Sequence, residues 1–140
     1  MRAFFFASLS GWLGTIFIGA VALLPYLLRR SALGLKPAMA LPSNRPYLER
    51  MWPHYWLAYA ATVLCFLHAW IVMSRGRMTR TSSLGLYLAT LALLLLFLQV
   101  VLGLTLQQRT LAERRVVRSW HFWTMAGVIV LIGSHIWLNR

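Results

Sequence analysis

Acidic residues are nearly missing from this chain. Glu49 and Glu113 are the only two, against fourteen Lys and Arg in 140 residues. Charged residues of both signs make up 11%, where a soluble domain carries ~25%. The apolar segments contain no acid, which leaves no carboxylate there for a transport site or an oxygen-ligated metal. Cysteine is limited to Cys65, so an intrachain disulfide is excluded. Inside an apolar run, Cys65 reads as a small packing residue. No basic helix or stripe stands apart from the apolar segments, which argues against nucleic-acid binding. Instead, Lys and Arg fall between those segments and at their ends, where they set membrane topology and meet lipid phosphates.

What is abundant is apolar side chain, at 60% of residues. It falls into four runs, about 3–28, 52–73, 84–106 and 117–138. Each has ~20 residues or more, enough to cross ~30 Å of hydrocarbon as a helix. Backbone groups in lipid must be satisfied within the segment, so these runs are expected to be helical. The first run is too long for the apolar core of a signal peptide and reads as a helix. The expected fold is all-α: one integral membrane domain, 1–140, forming a four-helix bundle with up-down-up-down topology. Residues 29–51 form the longest link, with Pro37, Pro42 and Pro46. A short polar turn at 74–77 and a polar stretch at 107–118, itself a candidate surface helix, form the others. Short links place sequential helices side by side and antiparallel, so helices 2 and 4 are parallel.

Nine basic residues lie on the side of the 1–2 and 3–4 links: Arg29, Arg30, Lys36, Arg45, Arg50, Arg109, Arg114, Arg115 and Arg118. Arg2, Arg75, Arg77, Arg80 and Arg140 lie on the other. This bias favours the first group in the cytoplasm of a multi-pass protein of the bacterial cytoplasmic membrane.

The chain has four histidines, His54 and His68 in helix 2 and His121 and His135 in helix 4, spaced 14 apart in each case. Fourteen residues rise ~21 Å and fall ~40° short of four full turns, so each pair shares one helix face. On parallel helices His54 meets His121 at one depth, and His68 meets His135 at the other. Each pair can supply both axial ligands of one haem. A lone intramembrane histidine can also serve as a hydrogen-bonding helix contact, but two matched spacings are not explained that way, and intramembrane ionisable groups are usually functional. Copper or zinc would need further ligands that the helices lack. No C-x-x-C-H motif is present, so the expected cofactors are two non-covalent b-type haems. Two histidines fill the iron's coordination sphere and leave no substrate position, which fits electron transfer.

The surroundings suit a flat cofactor. Ala58, Ala61 and Cys65 lie between the histidines of helix 2, and Thr124, Met125, Val128 and Ile132 between those of helix 4. Glycines let a porphyrin approach backbone. Helix 1 offers Gly11, Gly14 and Gly19, of which Gly14, with Gly85 of helix 3, falls at the depth of His68/His135. Gly103 falls at that of His54/His121. Small-residue helix packing is the alternative use. Propionates need cations, and Arg50, Arg114, Arg115 and Arg118 flank one end, with Arg75, Arg77 and Arg140 at the other. Trp52, Trp56, Trp120 and Trp123 mark one interface as an aromatic belt, and Trp12, Trp70 and Trp137 the other.

The run Arg118-Ser-Trp-His-Phe-Trp-Thr-Met, followed by Gly133-Ser-His-Ile-Trp-Leu-Asn, resembles the last haem helix of small membrane cytochromes b. Leu64-Cys-Phe-Leu-His-Ala-Trp is similar to its partner. Paired histidines on helices 2 and 4 also resemble the haem-bearing half of the cytochrome b of quinol–cytochrome c reductases. The likeness in architecture covers essentially the whole chain; in sequence it is specific at the histidines and their neighbours. It implies an electron-carrying membrane subunit with His54, His68, His121 and His135 as axial ligands. Such a subunit works between the quinone pool and an iron–sulfur, flavin, molybdenum or c-type haem partner. The departure is at the quinone site, since the acidic motifs and extra helices of the larger cytochromes b are not in this sequence. Glu49 or Glu113, with Tyr55 or Ser119, would have to take that role; ion pairing with nearby arginines is the plainer use of both acids. Two rival readings are a four-helix transporter and a haem-free structural anchor.

Overall fold

The computed structural model describes the backbone of residues 2–31, 51–74, 82–108 and 111–139, with side chains for 8–27, 51–74, 82–107 and 113–139. The described residues form four helices: α1 (Arg2–Ser31), α2 (Trp52–Ser74), α3 (Ser83–Gln108) and α4 (Leu111–Leu138). Each contains a span long and apolar enough to cross a membrane, and together they suggest a multi-pass membrane protein. Their outer faces are apolar at mid-height as well as at the ends. Ile16, Val63, Leu94 and Val130, one from each helix, are all exposed. Apolar surface of that extent on every helix suits lipid rather than water.

Local chemistry explains the ends. Pro53 sits in the first turn of α2, where its missing N–H has no helical partner to lose. Ser82 caps α3: its hydroxyl accepts from Gly85 N–H at 3.0 Å, and its carbonyl receives Leu86 N–H at 3.0 Å. α4 begins at Leu111, so much of the polar stretch at 107–118 continues as the first turns of this helix. Glu113 in the first turn complements the positive helix end. Threonines inside the spans return their hydroxyls to the carbonyl four residues back, as Thr15 does to Gly11, Thr62 to Ala58 and Thr105 to Val101.

The helices pack as two intimate pairs, α1 with α2 and α3 with α4; the pairs meet more lightly, through α2 with α3 and α1 with α4. Going round the bundle in chain order, α2 and α4 are therefore diagonal. A small core closes the centre with one residue from each helix: Ile18, Ala61, Leu96 and Val128. Phe17, Cys65, Leu95, Met125 and Ile132 pack against it.

Candidate cofactor site

The four histidines stand on the diagonal helices, and each one leans on the helix that precedes its own. In the first turn of α2, His54 brings its ring Nδ1 to 3.1 Å from the Val21 carbonyl of α1. A carbonyl only accepts, so Nδ1 carries the proton and donates it, and Nε2 keeps its lone pair. Near the end of α4, His135 repeats this arrangement, donating from Nδ1 to the Gly85 carbonyl of α3 at 2.8 Å. Asn139 closes the same end. Its Nδ2 donates to the His135 carbonyl at 2.8 Å, and its Oδ1 accepts from Ser82 N–H at 3.2 Å. A ring N–H held by a carbonyl, with the opposite nitrogen left basic, is the arrangement that metal-ligating histidines use.

His68 follows the pattern with a hydroxyl. Its Nδ1 lies 3.4 Å from Ser10 Oγ, and a Cβ added to Gly11 would stand 3.0 Å from its Cε1. His121 is held differently. Its Nδ1 is buried without a hydrogen-bond partner, while its backbone carbonyl receives Gln99 Nε2 from α3 at 2.9 Å. The Thr124 hydroxyl donates to Gln99 Oε1, so both ends of this buried carboxamide are used. A Cβ on Gly103 would stand 3.6 Å from the His121 ring, an ordinary van der Waals distance, so α3 passes beside this ring without requiring a glycine.

The rings of His54 and His121 come together edge-on, with centres 6.4 Å apart and planes at 66°. Two imidazoles on opposite sides of one metal ion, each nitrogen ~2 Å from it and each ring centre ~1.1 Å further out, would have centres ~6.3 Å apart. Rotation about that shared axis is free, so the angle between the planes is no obstacle. Among the described residues no three His, Cys, Asp or Glu come together. An ion held only by protein therefore lacks ligands, whereas a metal whose equatorial positions are filled by a macrocycle needs two.

The other expected site residues are distributed unevenly. Gly85 contributes its carbonyl to His135, and Gly103 lies beside His121. Gly14 faces Cys65, whose sulfur would be 3.1 Å from an added Cβ; the α1 glycine that meets a histidine is Gly11, three residues earlier. Arg118 is exposed on α4, as is Ser119. Arg50, Arg75 and Glu49 lie outside the described residues. Tyr55 is half-buried, its ring centre 5.9 Å from that of His54. Sequence reasoning passed over Val21, Ser10, Gln99 and Asn139. Gln99 carried a visible signal, as a carboxamide set among leucines and valines where an intramembrane polar group needs a reason. Comparison with family models, with characterised proteins and with solved structures found no match.

Proposed function

We propose that this chain carries electrons across a membrane through two b-type haems. In this reading its helices span the bilayer up-down-up-down, and His54 with His121, and His68 with His135, are the axial ligand pairs. The observation that carries the reading is the first pair: two imidazoles with centres 6.4 Å apart, the His54 Nδ1 held by the Val21 carbonyl so that Nε2 keeps its lone pair. His135 has the same backing from Gly85, which extends the argument to the second pair.

A bound haem would supply one-electron redox chemistry, and filled axial positions suit transfer rather than substrate binding. The chain's own contribution is to hold the imidazoles, fix the tautomers of His54 and His135 and keep water from the ring edges. Gly11 lets the α1 backbone approach the His68 ring, and the Gly85 carbonyl receives His135 Nδ1. Arg118, Arg50 and Arg75 are the candidates for propionates at the two surfaces. A chain with this role needs a donor and an acceptor. These are assigned to a quinone and to an iron–sulfur, flavin, molybdenum or c-haem partner subunit in a respiratory or photosynthetic complex. The excess of basic residues beside the 1–2 and 3–4 links favours placing them in the cytoplasm of a bacterium.

Purification in detergent tests the reading. The expected product is red, with a low-spin b-type spectrum and two haems per chain by extraction. A colourless protein, expressed with ample haem supply, overturns it.

A further inference from the structure

Pro25 lies inside α1, four residues after Val21. In a helix the N–H of residue 25 would donate to the carbonyl of residue 21, and proline has no N–H to give. The Val21 carbonyl is therefore released from the helix ladder, in a segment apolar enough to lie in lipid, where an unmet carbonyl is costly. It is this carbonyl that receives His54 Nδ1 at 3.1 Å. The freed acceptor and the ring that needs one come from different helices and satisfy each other.

We infer that Pro25 is a positioning residue for His54: by withholding its N–H it reserves the Val21 carbonyl for Nδ1 and so aims Nε2 across the bundle at His121. Pro25 supplies no N–H to Val21 O, so the lone pair that the helix ladder would engage stays open to the ring. Nδ1–H takes it, which fixes one tautomer. The opposite nitrogen then carries the lone pair, and the centre of the His121 ring lies 6.4 Å from that of His54. The geometry stands on hydrogen bonding alone; its consequence for a cofactor rests on the haem reading above.

Pro25→Ala is the informative variant. It returns the missing N–H and favours the helix, so loss of folding is not expected. The restored N–H competes for Val21 O and pulls the carbonyl back toward the helix axis. In protein prepared without haem and labelled with 15N-histidine, the native His54 signal should be that of an Nδ1–H tautomer. In the variant it should move toward the Nε2–H form or toward exchange between the two, with His135 unchanged. In haem-loaded protein, the haem lost in His121→Ala should bind ~10–100-fold more weakly in Pro25→Ala, as expected when an outer hydrogen bond of a metal ligand is removed. Its low-spin electron paramagnetic resonance signal should also shift, while the other haem keeps its spectrum. An unmoved His54 nitrogen spectrum overturns the inference, and so does an equal effect on both haems, which would mark Pro25 as a bend in α1 and nothing more. A colourless wild type whose His54 tautomer still responds to Pro25→Ala would overturn the haem reading and uphold the role of Pro25.

Discussion

Ala61 and Val128 each stand midway between the histidines of their helix, seven residues from one and seven from the other. They are also the most buried residues of the central core, 2% and 0% exposed. Seven residues are ~20° short of two full turns and span ~10 Å, so each lies on nearly the same face as its histidines. Together with Ile18 and Leu96 they make a tight waist between two separate histidine levels.

The waist predicts how a bulky residue there behaves. Ala61→Phe adds a ring where no space exists, and overpacking of this kind costs ~1–3 kcal/mol in a well-packed core. Because Ala61 shares the central core with Val128, midway between the histidines of both helices, the added ring acts on both levels at once. The expected result is a lower melting temperature in detergent with a fall in haem content at both sites. Loss of one haem with the other intact would show that the levels are not joined through this residue.

The pairing of ligands predicts a pattern among four alanine variants. His54→Ala and His121→Ala should abolish the same haem, and His68→Ala and His135→Ala the other, as followed by redox titration of the visible bands. Each histidine level takes one hydrogen bond from α1 and one from α3, so a single loss should leave the opposite level spectrally native. Any variant that removes one haem from each group breaks the pairing.

Gln99 should act on His121 alone. It is 9% exposed, donates to the His121 carbonyl and accepts from Thr124. No Nδ1 partner restrains the His121 ring, so its place depends on its backbone. Gln99→Leu removes the grip and leaves Thr124 to its own helix carbonyl at Trp120. The measurement is the midpoint potential and resonance signal of each haem. That of the His54/His121 level is expected to shift and broaden and the other to hold, and Gln99→Glu, protonated in an apolar span, should restore the native values by donating again. Equal changes at both levels would reduce Gln99 to a packing residue.

Much of this was readable from the residues. Long apolar runs separated by basic links point to four helices, and the fourteen-residue repeat puts the two histidines of each helix on one face, because helical period alone decides which side chains share a face. Ala61 and Val128 also fell on the face that periodicity assigned. Period does not reveal register between helices. That is why helical period puts Gly14 at the depth of His68, whereas Gly11 is the residue beside it, and why no pattern pairs Val21 with His54. The start of α4 was missed for another reason. Residues 111–118 are polar enough to read as a link, yet Ala112, Glu113, Arg114 and Arg115 are good helix formers and extend the span outward.

Register, once known, turns into a contrast between two glycines of α1. A Cβ on Gly11 would stand 3.0 Å from His68 Cε1 and 3.1 Å from its Nδ1, closer than such contacts normally come, so the imidazole must give way by a few tenths of an ångström. A Cβ on Gly19 would meet nothing within 4 Å. Both changes improve helix propensity by up to ~1 kcal/mol, so neither should unfold the protein. Gly11→Ala is expected to weaken or spectrally shift the haem that His68→Ala removes, through the displaced ring and its neighbour Ser10, while Gly19→Ala leaves both haems native and the melting temperature equal or higher. The comparison is internal to one helix, so detergent and expression level cancel. If Gly19→Ala perturbs the His68 level as much as Gly11→Ala does, the close approach of α1 to that ring is not what the site depends on.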